Sequence, residues 1–157
     1  MLTQTSNTRL WIYRSVKELT DEQKELIYPL CHKFISEWSS HGQKLDADFR
    51  ILDGHFLIFF VNEVSAKASG CSIDSSVALI KQLESEFKLG LLDRMSIPFR
   101  IEDKVVMINF QDIPALYKKG DISDNSLVYN LLLQDGSLFE EQWLIPFSSS
   151  VYFQSIL

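Results

Sequence analysis

Apolar positions along the chain recur with two different spacings. From Leu10 to Tyr13 apolar and aromatic residues run without a break between Arg9 and Arg14, which predicts a short strand. After Thr20 the spacing changes. Leu26/Ile27, Leu30/Cys31, Phe34/Ile35 and Trp38 recur at i, i+4, the stripe of a helix pressed on a core. Thr20 is placed to cap it, with Asp21 and Glu22 where the helix dipole favours acids. Pro29 falls inside the stripe and predicts a kink or a break, because it removes an amide donor and crowds the preceding turn. Gly42 ends the element.

Phe49–Leu52, the pair Asp53-Gly54 and His55–Val61 form the clearest hairpin, since Asp-Gly supplies the two positive-φ positions of a tight turn. The unbroken apolar run from Phe56 to Val61 predicts a central strand buried on both faces. A second helix follows Ser69-Gly70-Cys71-Ser72-Ile73-Asp74, with Ile73, Val77, Ile80, Leu83 and Phe87 as its stripe and Gly90 at its end. Ile97–Ile101 and Val105–Ile108 predict another hairpin about Glu102-Asp103, with Pro98 marking an edge or a bulge. Pro114 opens a short helical turn that Gly120 stops. Asp124 or Asn125 then caps a third helix through Leu127, Val128, Leu131 and Leu132, with Gly136 past its end. Ser137–Glu140 has the form of a capping box for a last short helix, before an aromatic, helix-poor tail. The order β-α-β-β-α-β-β-α-α predicts an α+β fold. A mainly antiparallel sheet carries helices on one face, as a ferredoxin-like βαββαβ core with an extra strand and C-terminal helices.

The chain of 157 residues is 46% hydrophobic, so it holds enough apolar surface for a core without metal or disulfide support. With no linker and no repeat, one domain over 1–157 is expected, preceded by a polar tail to about residue 8. A net charge of −6 argues against nucleic-acid and anionic-membrane surfaces, which need a basic stripe. No apolar run is long enough to insert in a bilayer, and the N-terminus lacks a signal peptide's apolar region. Two cysteines make no disulfide framework, and a reducing, cytoplasmic setting is expected.

Ser69–Asp74 is the most informative segment for chemistry. It delivers Cys71 to a helix mouth, where free amides and the positive dipole end stabilise a thiolate or a bound anion. His41 or His55 would be its base, oriented by Asp74 or Asp46. Ser69, Gly70, Ser72 and Asp74, together with Trp38, would line a site for a small anionic ligand. The same residues suit a purely structural role better, as a cap, a tight turn and a small buried thiol. Cys31 falls on the apolar stripe and His32 off it, so these are assigned to core and surface. No C-x-x-C, H-x-x-x-H or E-x-x-H spacing is present, so no metal and no cofactor is expected. None of the six glycines precedes a lysine and no G-x-G pair occurs, which excludes a P-loop and a dinucleotide loop.

Leu10–Tyr13, Trp38–Gly42, Ala68–Asp74, Leu91–Met95 and the late Trp143 together resemble a family of small bacterial proteins carrying the genome label "ABC transporter ATPase". The resemblance covers nearly the whole chain and is most specific at Ser-Gly-Cys-Ser-Ile-Asp. It implies a cytoplasmic bacterial protein of one domain, in a transport-linked setting, and carries over no catalytic residue. The missing P-loop runs against ATP hydrolysis. A non-enzymatic module binding a small ligand or a protein partner, such as a second copy in a homodimer, is therefore expected. Trp38, Phe147, Tyr152 and Phe153 would cover the neighbour's surface. A thiol-dependent enzyme or redox sensor built on Cys71 is the alternative.

Overall fold

A computed structural model of the chain describes residues 7–157; most of the N-terminal tail, residues 1–6, lies outside the described residues. The elements are helices and antiparallel strands in open sheets, an α+β fold. The described residues form two compact units, one from 7–92 with 132–139, the other from 93–131 with 140–157.

In the first unit, β1 (Thr8–Arg14), β4 (Asp46–Leu52) and β5 (Phe56–Asn62) form a three-stranded antiparallel sheet in the order β1-β5-β4. The central β5 is buried through Val61, as its unbroken apolar run requires. Asp53 and Gly54 both have positive φ at the β4–β5 turn. Register fixes the faces. Trp11 and Phe49 both sit opposite Phe59, and Tyr13 and Ile51 opposite Leu57, so these side chains share one side of the sheet. The helices α1 (Asp21–Glu37) and α2 (Gly70–Phe87) pack there, through Ile27 and Cys31 from one and Leu79, Ile80 and Leu83 from the other.

Thr20 and Gln23 form the capping box that starts α1. Pro29 neither ends nor splits this helix, which runs 17 residues through it. The proline is exposed, so the carbonyl that loses its donor lies on the watered side of the helix. Beyond Trp38, β2 (Ser39–Ser40) and β3 (Gln43–Lys44) form a small hairpin closed by His41 and Gly42, both with positive φ. Residues 41–44 are thus a turn and a strand, where only a helix end was expected. α2 stops at Lys88, which is left-handed, and the Glu84 carboxylate accepts the amides of Leu89, Gly90 and Leu91 at 3.0–3.2 Å. Gly90 has φ +78°, and a Cβ there would stand 2.9 Å from the Val16 side chain.

A ferredoxin-like sheet would place a fourth strand on the free edge of β1. Instead, an isolated bridge between Arg9 and Asp135 and a 2.9 Å bond from Leu10 N–H to Gln134 C=O occupy that edge. The strand expected there, β6 (Ser96–Ile101), belongs to the other sheet.

In the second unit β6, β7 (Lys104–Asn109), β8 (Leu127–Tyr129) and β9 (Leu144–Pro146) form an antiparallel sheet in the order β7-β6-β8-β9. Glu102 and Asp103, both with positive φ, close the β6–β7 hairpin. β6 is not an edge strand. Its ladder with β8 covers only Phe99 and Arg100, however, so Pro98 is flanked by a strand on one side alone. The helix α3 (Ile113–Lys119) carries Pro114 in its first turn and is closed by Gly120, φ +85°.

Leu127–Tyr129 is a strand and not the expected third helix. Its 3.6-residue periodicity is outweighed by pairing with β6 on one side and β9 on the other, which buries Val128 and Tyr129. The cap before the last short helix, α4 (Phe139–Gln142), is also displaced. Asp135, not Ser137, accepts the Ser137 amide at 2.9 Å and opens a 3₁₀ turn over Gly136–Leu138. The second core gathers Ile97, Phe99, Ile108, Ile113, Val128 and Phe147.

Candidate functional site

Ser69 is the N-cap of α2, which places Gly70, Cys71 and Ser72 in its first turn. The capping box is reciprocal. The Ser69 hydroxyl accepts the Ser72 amide at 3.3 Å, and the Ser72 hydroxyl accepts the Ser69 amide while donating to the Ser69 carbonyl at 2.8 Å. The Ser69 carbonyl also accepts the Ile73 amide. Just ahead of the helix, the Glu63 carboxylate accepts the Ala68 amide at 2.8 Å, bringing a negative charge to the place where an anion would approach. Ser72 is buried, and its carbonyl receives the Trp38 indole N–H at 2.7 Å. Cys71 and Asp74 point to solvent.

Of the two expected bases, His55 stands far from Cys71. His55 donates from Nδ1 to the Ser15 carbonyl at 2.9 Å, and Ser15 in turn donates to the Leu89 carbonyl beyond the far end of α2. Sixteen steps of about 1.5 Å from Cys71 to Phe87 put that end roughly 24 Å from Cys71, so His55 is excluded as its base. His41 occupies the exposed β2–β3 turn and makes no hydrogen bond or ring contact among the described residues. Asp46 opens β4, in register with Asn62. Cys31 is a core thiol, and burial pushes its pKa up to about 12. No group of three or more His, Cys, Asp or Glu side chains among the described residues is placed to hold a metal ion. Among them, too, no helix is long and apolar enough to cross a membrane.

Trp38 is a core residue and not an exposed ligand contact. It meets Trp11 edge-on at 5.5 Å, Phe34 at 5.0 Å and Phe59 at 6.0 Å. Phe147 is fully buried, and Tyr152 and Phe153 pack against the second core. The aromatics expected to cover a neighbour cover their own units instead.

An open cleft of about 590 Å³ lies elsewhere on the first unit. α1 supplies His32, Ile35 and Ser36; the stretch from β3 into β4 supplies Lys44, Leu45, Asp46 and Ala47; Ser65 closes it. The His32 ring is stacked on Tyr28 at 5.7 Å and meets Phe49 edge-on at 6.3 Å, which restricts its swing. The side chains of Lys44 and Asp46 enter no hydrogen bond or ion pair among the described residues. A second hollow of about 380 Å³ is lined by Arg9, Glu63, Lys67 and Asp135 among others. There Arg9 lies over the Trp11 ring, Glu63 holds Ala68 and Asp135 holds Ser137, which leaves Lys67 without a partner among the described residues. Sequence alone did not find the cleft, because its residues come from three separate stretches. The one available signal was Lys44-Leu45-Asp46, opposite charges flanking an apolar residue at the entry to a strand.

No protein-family model, no curated protein and no solved structure matches the chain.

Proposed function

We propose that the protein is a non-enzymatic module that binds a small ligand in the cleft between α1 and β4. One contrast carries this. The two charged groups of the cleft, Lys44 and Asp46, have no partner among the described residues, whereas His55, one of the two bases expected beside Cys71, is bonded to the Ser15 carbonyl at the far end of α2. A volume of about 590 Å³ is of the size that holds small molecules, which occupy clefts of roughly 300–1,000 Å³. The expected behaviour is a rise in melting temperature with a subset of small polar molecules, since a ligand of the folded state stabilises it in proportion to RT ln(1 + [L]/Kd). A thermal-shift screen at millimolar concentrations tests this. A flat response across amino acids, sugars, nucleotides and organic acids would contradict it.

The exposure of Cys71 in the first turn of α2 favours a second reading, that of a redox-sensitive thiol without a histidine base from His55. Alkylation of Cys71 against pH in a Cys31→Ala background tests it. An inflection well below the ordinary thiol range supports the thiol role, and ordinary titration ends it. A cytoplasmic setting, as the resemblance implies, accords with both readings.

A further inference from the structure

The cleft's chemistry narrows the class of ligand, a refinement that rests on the cleft being a binding site at all. Lys44 and Asp46 stand two residues apart on either side of Leu45, which is buried. An inward side chain between them turns the two charged ones to the same outer side. In extended chain their Cα atoms are about 7 Å apart. Both are exposed, and neither has a partner among the described residues, not even each other. A cation and an anion held this way leave room for a ligand that carries the opposite pair. Beside them Ile35, Leu45 and Ala47 give the cleft an apolar lining, and Ser36, Ser65 and the stacked His32 add hydrogen-bonding groups.

A purely anionic ligand would be repelled by Asp46, and a purely cationic one by Lys44. A small neutral molecule would leave both charges unused. We infer that the cleft takes a small zwitterion of the amino-acid type with an apolar side chain. Its carboxylate lies toward Lys44, its ammonium toward Asp46, and its hydrocarbon reaches round the strand edge to Ile35.

The test is calorimetric titration of the full chain with L-leucine and with its two half-charged analogues. Leucinamide lacks the carboxylate, and 4-methylpentanoate lacks the ammonium. The expected result is saturable binding of leucine, with each analogue weaker by about tenfold, the loss of one charge-assisted contact. Lys44→Ala should weaken leucine by about tenfold and should not weaken leucinamide, whose cation it no longer repels. Asp46→Ala should do the same to leucine and should not weaken 4-methylpentanoate, whose anion it no longer repels. Circular dichroism confirms that both variants are folded. Leucine binding that neither substitution alters would overturn this site while sparing the binding role. Silence toward leucine, with melting-temperature shifts from another chemical class, would overturn the zwitterion while again sparing the role. Silence in both experiments would overturn both.

Discussion

The mouth of α2 and the cleft beside α1 are both polar regions of the first unit, yet they spend their polar groups in opposite ways. At the helix mouth Ser69 and Ser72 satisfy each other's amides, the Ser72 carbonyl takes the Trp38 indole, and Glu63 binds the preceding loop. In the cleft Lys44 and Asp46 bond to nothing within the described fold. Buried polar groups must be paired internally or they destabilise the folded state, whereas exposed charges are free to be paired by something else. The serines of a motif that looks chemical in sequence can thus be consumed by folding, while groups that look like ordinary surface remain available.

The sharpest way to break this contrast is to remove Trp38, which ties the α1 end to the α2 start. Trp38→Ala deletes a buried ring that touches Trp11, Phe34 and Phe59 and should cost about 3–5 kcal/mol in denaturant unfolding. A loss under about 1 kcal/mol would mean that this ring does not anchor the helix mouth. The buried cysteine gives a pH test. With the Cys31 thiol held up to about 12 in the fold and its ordinary value at 9.0, the stability it contributes is full below pH 9. As pH rises the unfolded chain ionises first, so that contribution falls between pH 9 and 12, by at most about 1.4 kcal/mol per pH unit. The difference in unfolding free energy between wild type and Cys31→Ala should shrink over this range, and a constant difference would place the thiol in water. Removing the cap with Ser69→Ala should cost about 1 kcal/mol, read from the same denaturant curves. The smallest effect belongs to the cleft. Lys44→Ala and Asp46→Ala should each change stability by less than about 0.5 kcal/mol, because neither side chain supports the fold.

Local signals with a steric cause were readable from residues alone. Asp53-Gly54 and Glu102-Asp103 close the hairpins expected of them, and Thr20 and Gly120 bound their helices. Failures came where distant pairing decides. Leu127–Tyr129 has helical spacing but finds two strand partners, and Gln134-Asp135 rather than β6 lies against the edge of β1. The Pro29 expectation failed for a subtler reason, since the freed carbonyl lies where water can serve it. For the site, the cap at Ser69 was readable as one of two roles. The distance from His55 to Cys71 was not, because it depends on which end of α2 meets Ser15.

Amide NMR of the labelled chain titrated with L-leucine compares the two regions in one experiment. The predicted outcome is progressive shifts of residues 32–36, 44–47 and 65, with residues 69–74 unmoved. Shifts concentrated at 69–74 with a silent cleft would contradict the account and return the helix mouth to the place of the binding site.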